Sequence, residues 1–264
     1  MQYQIKILLL SFVITIITSL AIIPILKKLK VGQMERTEGP QSHLGKQGTP
    51  TMGGIIMILV ITVLTGFLCY DYIKDNQSSV AKNLIPIAAV SIGFGLVGFI
   101  DDFKKLVLKN TEGLKPLYKM IGLLIFSVAF VLYITKVLNI GTETYIPFIK
   151  TYFTLPVWLY IPFAILVLLG TSNAVNLTDG IDGLATSVTA LILTCLTVIG
   201  IIFNIKEIVV FGSITIGTCL GFLLFNLNPA KIFMGDTGSL MLGGAVAGMA
   251  LYLKMPLLLH IYGR

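Results

Sequence analysis

The sequence predicts an all-α, polytopic membrane protein with about eight transmembrane helices. Composition is the first observation: 56% of the 264 residues are hydrophobic and only 12% are charged, where a soluble domain carries about a quarter charged residues. The second is the division of the apolar residues into runs of roughly 20, the length that crosses a bilayer as a helix. The third is that polar, glycine-punctuated stretches separate those runs. Lipid cannot satisfy their backbone groups, so they must face water or line a cavity within the protein.

The runs are Ile7–Leu26, Met52–Tyr70, Leu84–Ile100, Leu117–Ile134, Val157–Leu169, Leu184–Phe203, Ile208–Phe225 and about Leu240–Leu253. The first is too long for a secretory signal and lacks a small-residue cleavage pattern, so it reads as a retained helix. The fourth carries Lys119 near its start, where a long basic side chain snorkels to the interface. The last is short and glycine-rich, which suits close packing between helices. No fixed-period repeat or low-complexity linker divides the chain, so residues 1–264 read as one membrane domain.

Loop parity gives the orientation. The first, third, fifth and seventh loops share one side and, with Lys119, collect eleven of the nineteen basic residues. The positive-inside bias puts that side in the cytoplasm and both termini outside. The net charge of +7 then reads as a cytoplasmic bias with attraction to anionic lipid, not as a nucleic-acid interface. Cys69, Cys195 and Cys219 lie in or beside apolar runs without metal-like spacing, and His43 and His260 are far apart. Disulfide, zinc, copper and iron centres are therefore disfavoured.

The same parity gathers Asp101, Asp102, Asp179, Asp182 and Asp236 on the cytoplasmic side, and leaves Asp71 and Asp75 on the other. Loop one ends in Lys46-Gln-Gly-Thr-Pro-Thr-Met-Gly-Gly54. Its glycines allow close backbone approach, and amides at the start of the second helix beside Lys46 would suit a phosphate; a plain capping turn is the alternative. Loop three opens with Asp101-Asp-Phe-Lys-Lys105. Carboxylates at a helix C-terminus oppose the macrodipole, so capping does not explain them. Loop five, Asn173-Ala-Val-Asn-Leu-Thr-Asp-Gly-Ile-Asp-Gly183, places Asp179 and Asp182 before the sixth helix. One could cap it, leaving Asn173 and Asn176 as amides suited to a nucleobase or sugar. Loop seven carries Phe233-Met-Gly-Asp236-Thr-Gly-Ser239, where Asp236 could cap the eighth helix and Phe233 reads as packing. Carboxylates, lysines and glycine loops on one face suggest Mg²⁺ with phosphates, since Mg²⁺ is usually held by one or two carboxylates plus substrate phosphates.

Together these motifs resemble the bacterial phospho-N-acetylmuramoyl-pentapeptide transferases, of the polyprenyl-phosphate N-acetylhexosamine-1-phosphate transferase superfamily. The four motif stretches occur in the family's order across nearly the whole chain, and Ser42-His-Leu-Gly-Lys-Gln-Gly-Thr-Pro-Thr51 favours the muramoyl-pentapeptide branch. The resemblance implies Mg²⁺-dependent transfer of phospho-MurNAc-pentapeptide from UDP to undecaprenyl phosphate in the bacterial inner membrane. The products would be lipid I and UMP, and the enzyme a homodimer. On matching positions it implies Asp236 as metal ligand, and Asp101 and Asp102 as acids that activate the lipid phosphate, as base or nucleophile. Asn176, Asp179, Asp182, Lys46 and Thr51 would line the nucleotide-sugar pocket, Phe233 would stack on uracil, and Lys105 would neutralise phosphate.

The resemblance also implies two further helices, with a His-His-His loop between them, beyond Arg264. The sequence therefore reads as C-terminally truncated. Two other readings stay open: a relative that moves GlcNAc-1-phosphate, and an inactive truncated product. A transporter is disfavoured, because its acids would lie near the bilayer midplane and not at helix ends.

Overall fold

The computed structural model describes residues 2–29, 49–106, 113–147 and 149–259. Eight helices follow one another: α1 Gln2–Lys28, α2 Gly54–Lys74, α3 Ser78–Leu106, α4 Pro116–Leu132, α5 Val157–Thr178, α6 Leu184–Ile202, α7 Lys206–Asn226 and α8 Gly235–Tyr252. A π-helical turn, Tyr133–Val137, prolongs α4. Each predicted run is present as a helix, and among the described residues seven are long and apolar enough to cross a membrane. The eighth is α8. From Thr237 to Tyr252 every residue of it is buried, so protein surrounds it where lipid surrounds the outer faces of its neighbours, and five glycines replace the large apolar side chains a lipid-facing helix needs.

α8 is the axis of the bundle. It packs most extensively on α3, then on α5, with α2 and α6 completing its surround. Small residues bring the backbones together: a Cβ on Gly98 of α3 would lie 2.1 Å from the Asp236 carbonyl oxygen, and one on Gly54 of α2 would lie 2.1 Å from the Gly238 nitrogen. Ser91 of α3 donates a hydrogen bond to the Met241 carbonyl (3.0 Å). In lipid such contacts replace the hydrophobic drive that assembles soluble bundles.

Several helices extend past the predicted runs, and in α3, α5 and α8 the extensions hold motif residues. α3 continues through Asp101 and Asp102, so these acids lie in helical turns and not in a loop. α5 continues through Asn173 and Asn176 to Thr178, beyond the expected end at Leu169. The polar residues there stay helical because they are served locally or face inward: the Asn173 amide donates to the Leu169 carbonyl (2.7 Å), and Ser172 is buried against Gly243. α8 begins at Gly235, ahead of the expected Leu240, with Asp236 in its first turn.

At the opposite end, Asn83 and Tyr252 both donate to the Glu207 carboxylate, tying α3, α7 and α8 together. A hairpin absent from the sequence expectations, β1 Glu143–Ile146 and β2 Thr151–Thr154, pairs antiparallel beside it. Its Tyr145 amide donates to the Lys254 carbonyl (2.8 Å), and Glu143 pairs with the Lys254 ammonium (2.6 Å).

The α3–α8 contact predicts a steric phenotype. Gly98→Ala should destabilise the bundle by about 1–3 kcal/mol, because neither backbone can yield a full methyl radius. Thermal unfolding in detergent measures it, and an unchanged midpoint would show that the helices have slack at Gly98.

Candidate functional site

The centre forms where the C-terminal turns of α3 and α5, the first turn of α4 and the first turn of α8 meet. Asp101, Asp102 and Asp236 each direct a carboxylate oxygen into one group, with the oxygens within 4.8 Å of one another. Asp101 and Asp102 are buried and Asp236 is partly buried. Unpaired carboxylates would not tolerate such surroundings, so their partners define the site.

Asp101 pairs with Lys105 one turn later (2.5 Å) and accepts the Leu114 amide at 2.6 Å. Asp236 Oδ2 meets two ammonium groups, Lys105 Nζ at 3.1 Å and Lys119 Nζ at 2.9 Å. Its Oδ1 accepts from Asn176 Nδ2 at 2.7 Å, and the same amide nitrogen donates to Ser239 Oγ at 2.8 Å. Asp102 turns to the α8 backbone: Oδ1 accepts the Asp236 amide (3.2 Å), and Oδ2 accepts the Thr237 amide (2.9 Å) and hydroxyl (2.5 Å). Three carboxylates against two lysines leave one negative charge in excess. Hard oxygen donors with a net negative charge fit a divalent cation such as Mg²⁺, and no histidine or cysteine joins the group among the described residues to favour a softer metal.

The remaining expected residues take different places. Thr51 is buried on a strand-like stretch that runs beside the entry to α8: Phe233 N donates to Pro50 O (2.9 Å), Gly53 N to Phe233 O (2.8 Å) and Gly54 N to Met234 O (2.9 Å). The Gly53 and Gly54 amides are thus committed to backbone acceptors, which corrects the expectation of free phosphate donors at the start of α2. Phe233 is partly buried on the same stretch. Asp182 accepts the Ala230 amide (3.2 Å) and Asn228 Nδ2 (3.4 Å), so it braces the loop after α7. Neither Asp179 nor Asp182 caps α6; Gly183 occupies that position with φ +74, and Asp179 terminates α5. Asp236 does not cap α8 either. Lys46 lies outside the described residues, as do His43 and His260.

Three contributors have no role in the sequence reading: Lys119, and Thr237 and Ser239 inside the loop-seven motif. Lys119 does not snorkel; its ammonium is spent on Asp236. A lone basic residue inside an apolar run was the available signal.

A bundle of apolar helices with carboxylates and lysines gathered at one end defines a polytopic membrane protein with a polar, metal-compatible centre. The comparisons supply the particular family. Residues 84–254 match the family model of glycosyl transferase family 4, and residues 46–58 match phospho-N-acetylmuramoyl-pentapeptide-transferase signature 1. The phospho-N-acetylmuramoyl-pentapeptide-transferase of Acetivibrio thermocellus is 44% identical over 96% of this chain and 74% of its own length. That of Halalkalibacterium halodurans is 44% identical over 97% and 77%, and that of Clostridium novyi 44% over 100% and 78%. The chain belongs to the phospho-N-acetylmuramoyl-pentapeptide-transferase family.

Asp179 gives the site a pH signature. Burial, then the charges of Asp236 and Asp102, push its carboxyl up to about 7. A carboxyl raised in the fold binds its proton more tightly there than in the unfolded chain, so its ionisation costs stability as pH rises from about 4 to about 7. Asp179→Asn removes that cost. Its thermal midpoint relative to the parent should be higher at about pH 8 than at about pH 4, and a pH-independent difference would contradict the assignment.

Proposed function

We propose that this chain transfers phospho-MurNAc-pentapeptide from its UDP conjugate to undecaprenyl phosphate, giving lipid I and UMP. The reaction takes place at the cytoplasmic face of the bacterial cell membrane. The observation that carries this reading is the convergence of three of the family's motif stretches, from α3, α5 and α8, on one carboxylate, Asp236. The fourth, at residues 49–54, pairs with the chain entering α8.

In this reaction an oxygen of the lipid phosphate bonds to the sugar-linked phosphorus of the nucleotide sugar. The bond from that phosphorus to the bridging oxygen breaks, and its electron pair leaves with UMP. Both reactants are anionic, so positive charge must be placed before they can approach. Lys105 and Lys119 supply part of it, converging on one side of Asp236. Asp236, with Asp101 beside it, would hold Mg²⁺, which when bound offsets charge on the diphosphate and the attacking oxygen. Asn176 fixes the Asp236 carboxylate from the side opposite the lysines.

Asp101, which lies beside Asp236 and pairs with Lys105, is assigned the role of the base that takes a proton from the lipid phosphate. Asp179 and Phe233 serve the nucleotide-sugar pocket with Thr51 and Lys46. Asp182 contributes to that pocket by holding the loop that carries Phe233.

Purified protein supplied with UDP-MurNAc-pentapeptide, undecaprenyl phosphate and Mg²⁺ should form lipid I, with little product from UDP-GlcNAc. Asp236→Asn should lower turnover by at least about a hundred-fold, the scale of losing one electrostatic contact to a transition state. Turnover that survives this substitution would remove Asp236 from the reaction, and preference for UDP-GlcNAc would move the chain to the related branch.

A further inference from the structure

α8 starts without a cap of its own. Its N-cap position is Met234, which makes no side-chain hydrogen bond to the helix. The first amides of any helix lack intrahelical acceptors, and a buried helix start must find them elsewhere. Here the acceptor comes from another helix. Asp102, near the end of α3, receives the Asp236 amide on one oxygen and the Thr237 amide and hydroxyl on the other. Asp102 is 5% exposed and Thr237 is fully buried. A carboxylate offers about four acceptor sites, so three are committed to α8.

We propose that Asp102 is a positioning residue: an N-cap supplied in trans, which sets the first turn of α8 and through it the direction of the Asp236 carboxylate. This rests on the reading of Asp236 as a metal-holding carboxylate, and it separates the two adjacent acids by role. Asp101 faces Lys105 and Asp236, while Asp102 faces the α8 backbone. Successive helical residues point about 100° apart, so neighbours in sequence need not share a function. Carboxylate is also the best partner for the positive end of a helix, and aspartate is among the preferred capping side chains. Gly235 completes the arrangement. It has φ +71, and a Cβ there would lie 2.6 Å from Asp102 Oδ2, so the position needs glycine twice over: for its backbone angle and for room beside the cap.

Two variants test the cap. Asp102→Asn replaces one acceptor oxygen by an NH₂ that meets an N–H donor head-on. Thr237→Val keeps the shape and both amides but removes the hydroxyl. Hydrogen exchange, measured without metal or substrate, should quicken at the Asp236 and Thr237 amides by roughly five-fold or more in Asp102→Asn, with the middle of α8 unchanged. Mn²⁺ binding followed by electron paramagnetic resonance should weaken by about three-fold or more in Thr237→Val, and the Mg²⁺ half-saturation of turnover should rise in both variants. A residue serving only the fold would lower the active fraction without shifting that half-saturation. Unchanged exchange at these two amides in Asp102→Asn overturns the proposal. So does loss of turnover at every Mg²⁺ concentration with Mn²⁺ binding intact, the pattern of a direct catalytic acid. The exchange measurement needs no turnover, so it decides the cap even if the transfer reaction itself is not found.

Discussion

The meeting of α3 and α8 is the contact on which the acidic centre depends. Gly98 lets the two backbones touch, Asp102 answers the orphaned amides at the start of α8, and Asp236 is aimed as a consequence. Without that contact, α8 would carry unsatisfied backbone donors into a buried position, at a cost of about 1–3 kcal/mol for each group left unpaired. The macrodipoles fit the same geometry: the negative end of α3 and the positive start of α8 lie together at this end of the bundle.

Charge then explains the composition of the site. Asp236 cannot be buried alone, and it is met from three helices, by Lys105 of α3, Lys119 of α4 and Asn176 of α5. Pairing of this kind does little for overall stability, since desolvation offsets most of the attraction. What it secures is direction: two ammonium groups are held at one end of the bundle, and the carboxylates keep those lysines from repelling one another. The opposite end of the bundle carries a different polar group, built on Glu207 and the Lys254–Glu143 pair, which ties helices and hairpin together.

Much of this was legible in the sequence. Apolar run lengths place the helices, and loop parity brings Asp101, Asp102 and Asp236 to one side. Periodicity could not tell where polar residues stop a helix. Asn173 and Asn176 look like loop residues, yet they remain helical because their amides find acceptors on Leu169, Asp236 and Ser239. Capping was misassigned for the same kind of reason: local rules offer Asp179, Asp182 and Asp236 to their own helices, whereas the acceptor α8 uses is 134 residues from the amide it serves. Lys119 was visible as an anomaly, but its target is a tertiary contact. The hairpin had too short and irregular a pattern to announce itself.

We propose that a divalent cation is held where α3 and α8 meet, with Asp236 as its principal ligand. Anomalous scattering from Mn²⁺ in crystals of the protein tests it most directly. One strong peak is expected within ligand distance, about 2.0–2.6 Å, of an Asp236 carboxylate oxygen, with Asp101 beside it. A peak held by other residues, with Asp236 still engaged only by Lys105, Lys119 and Asn176, would contradict it.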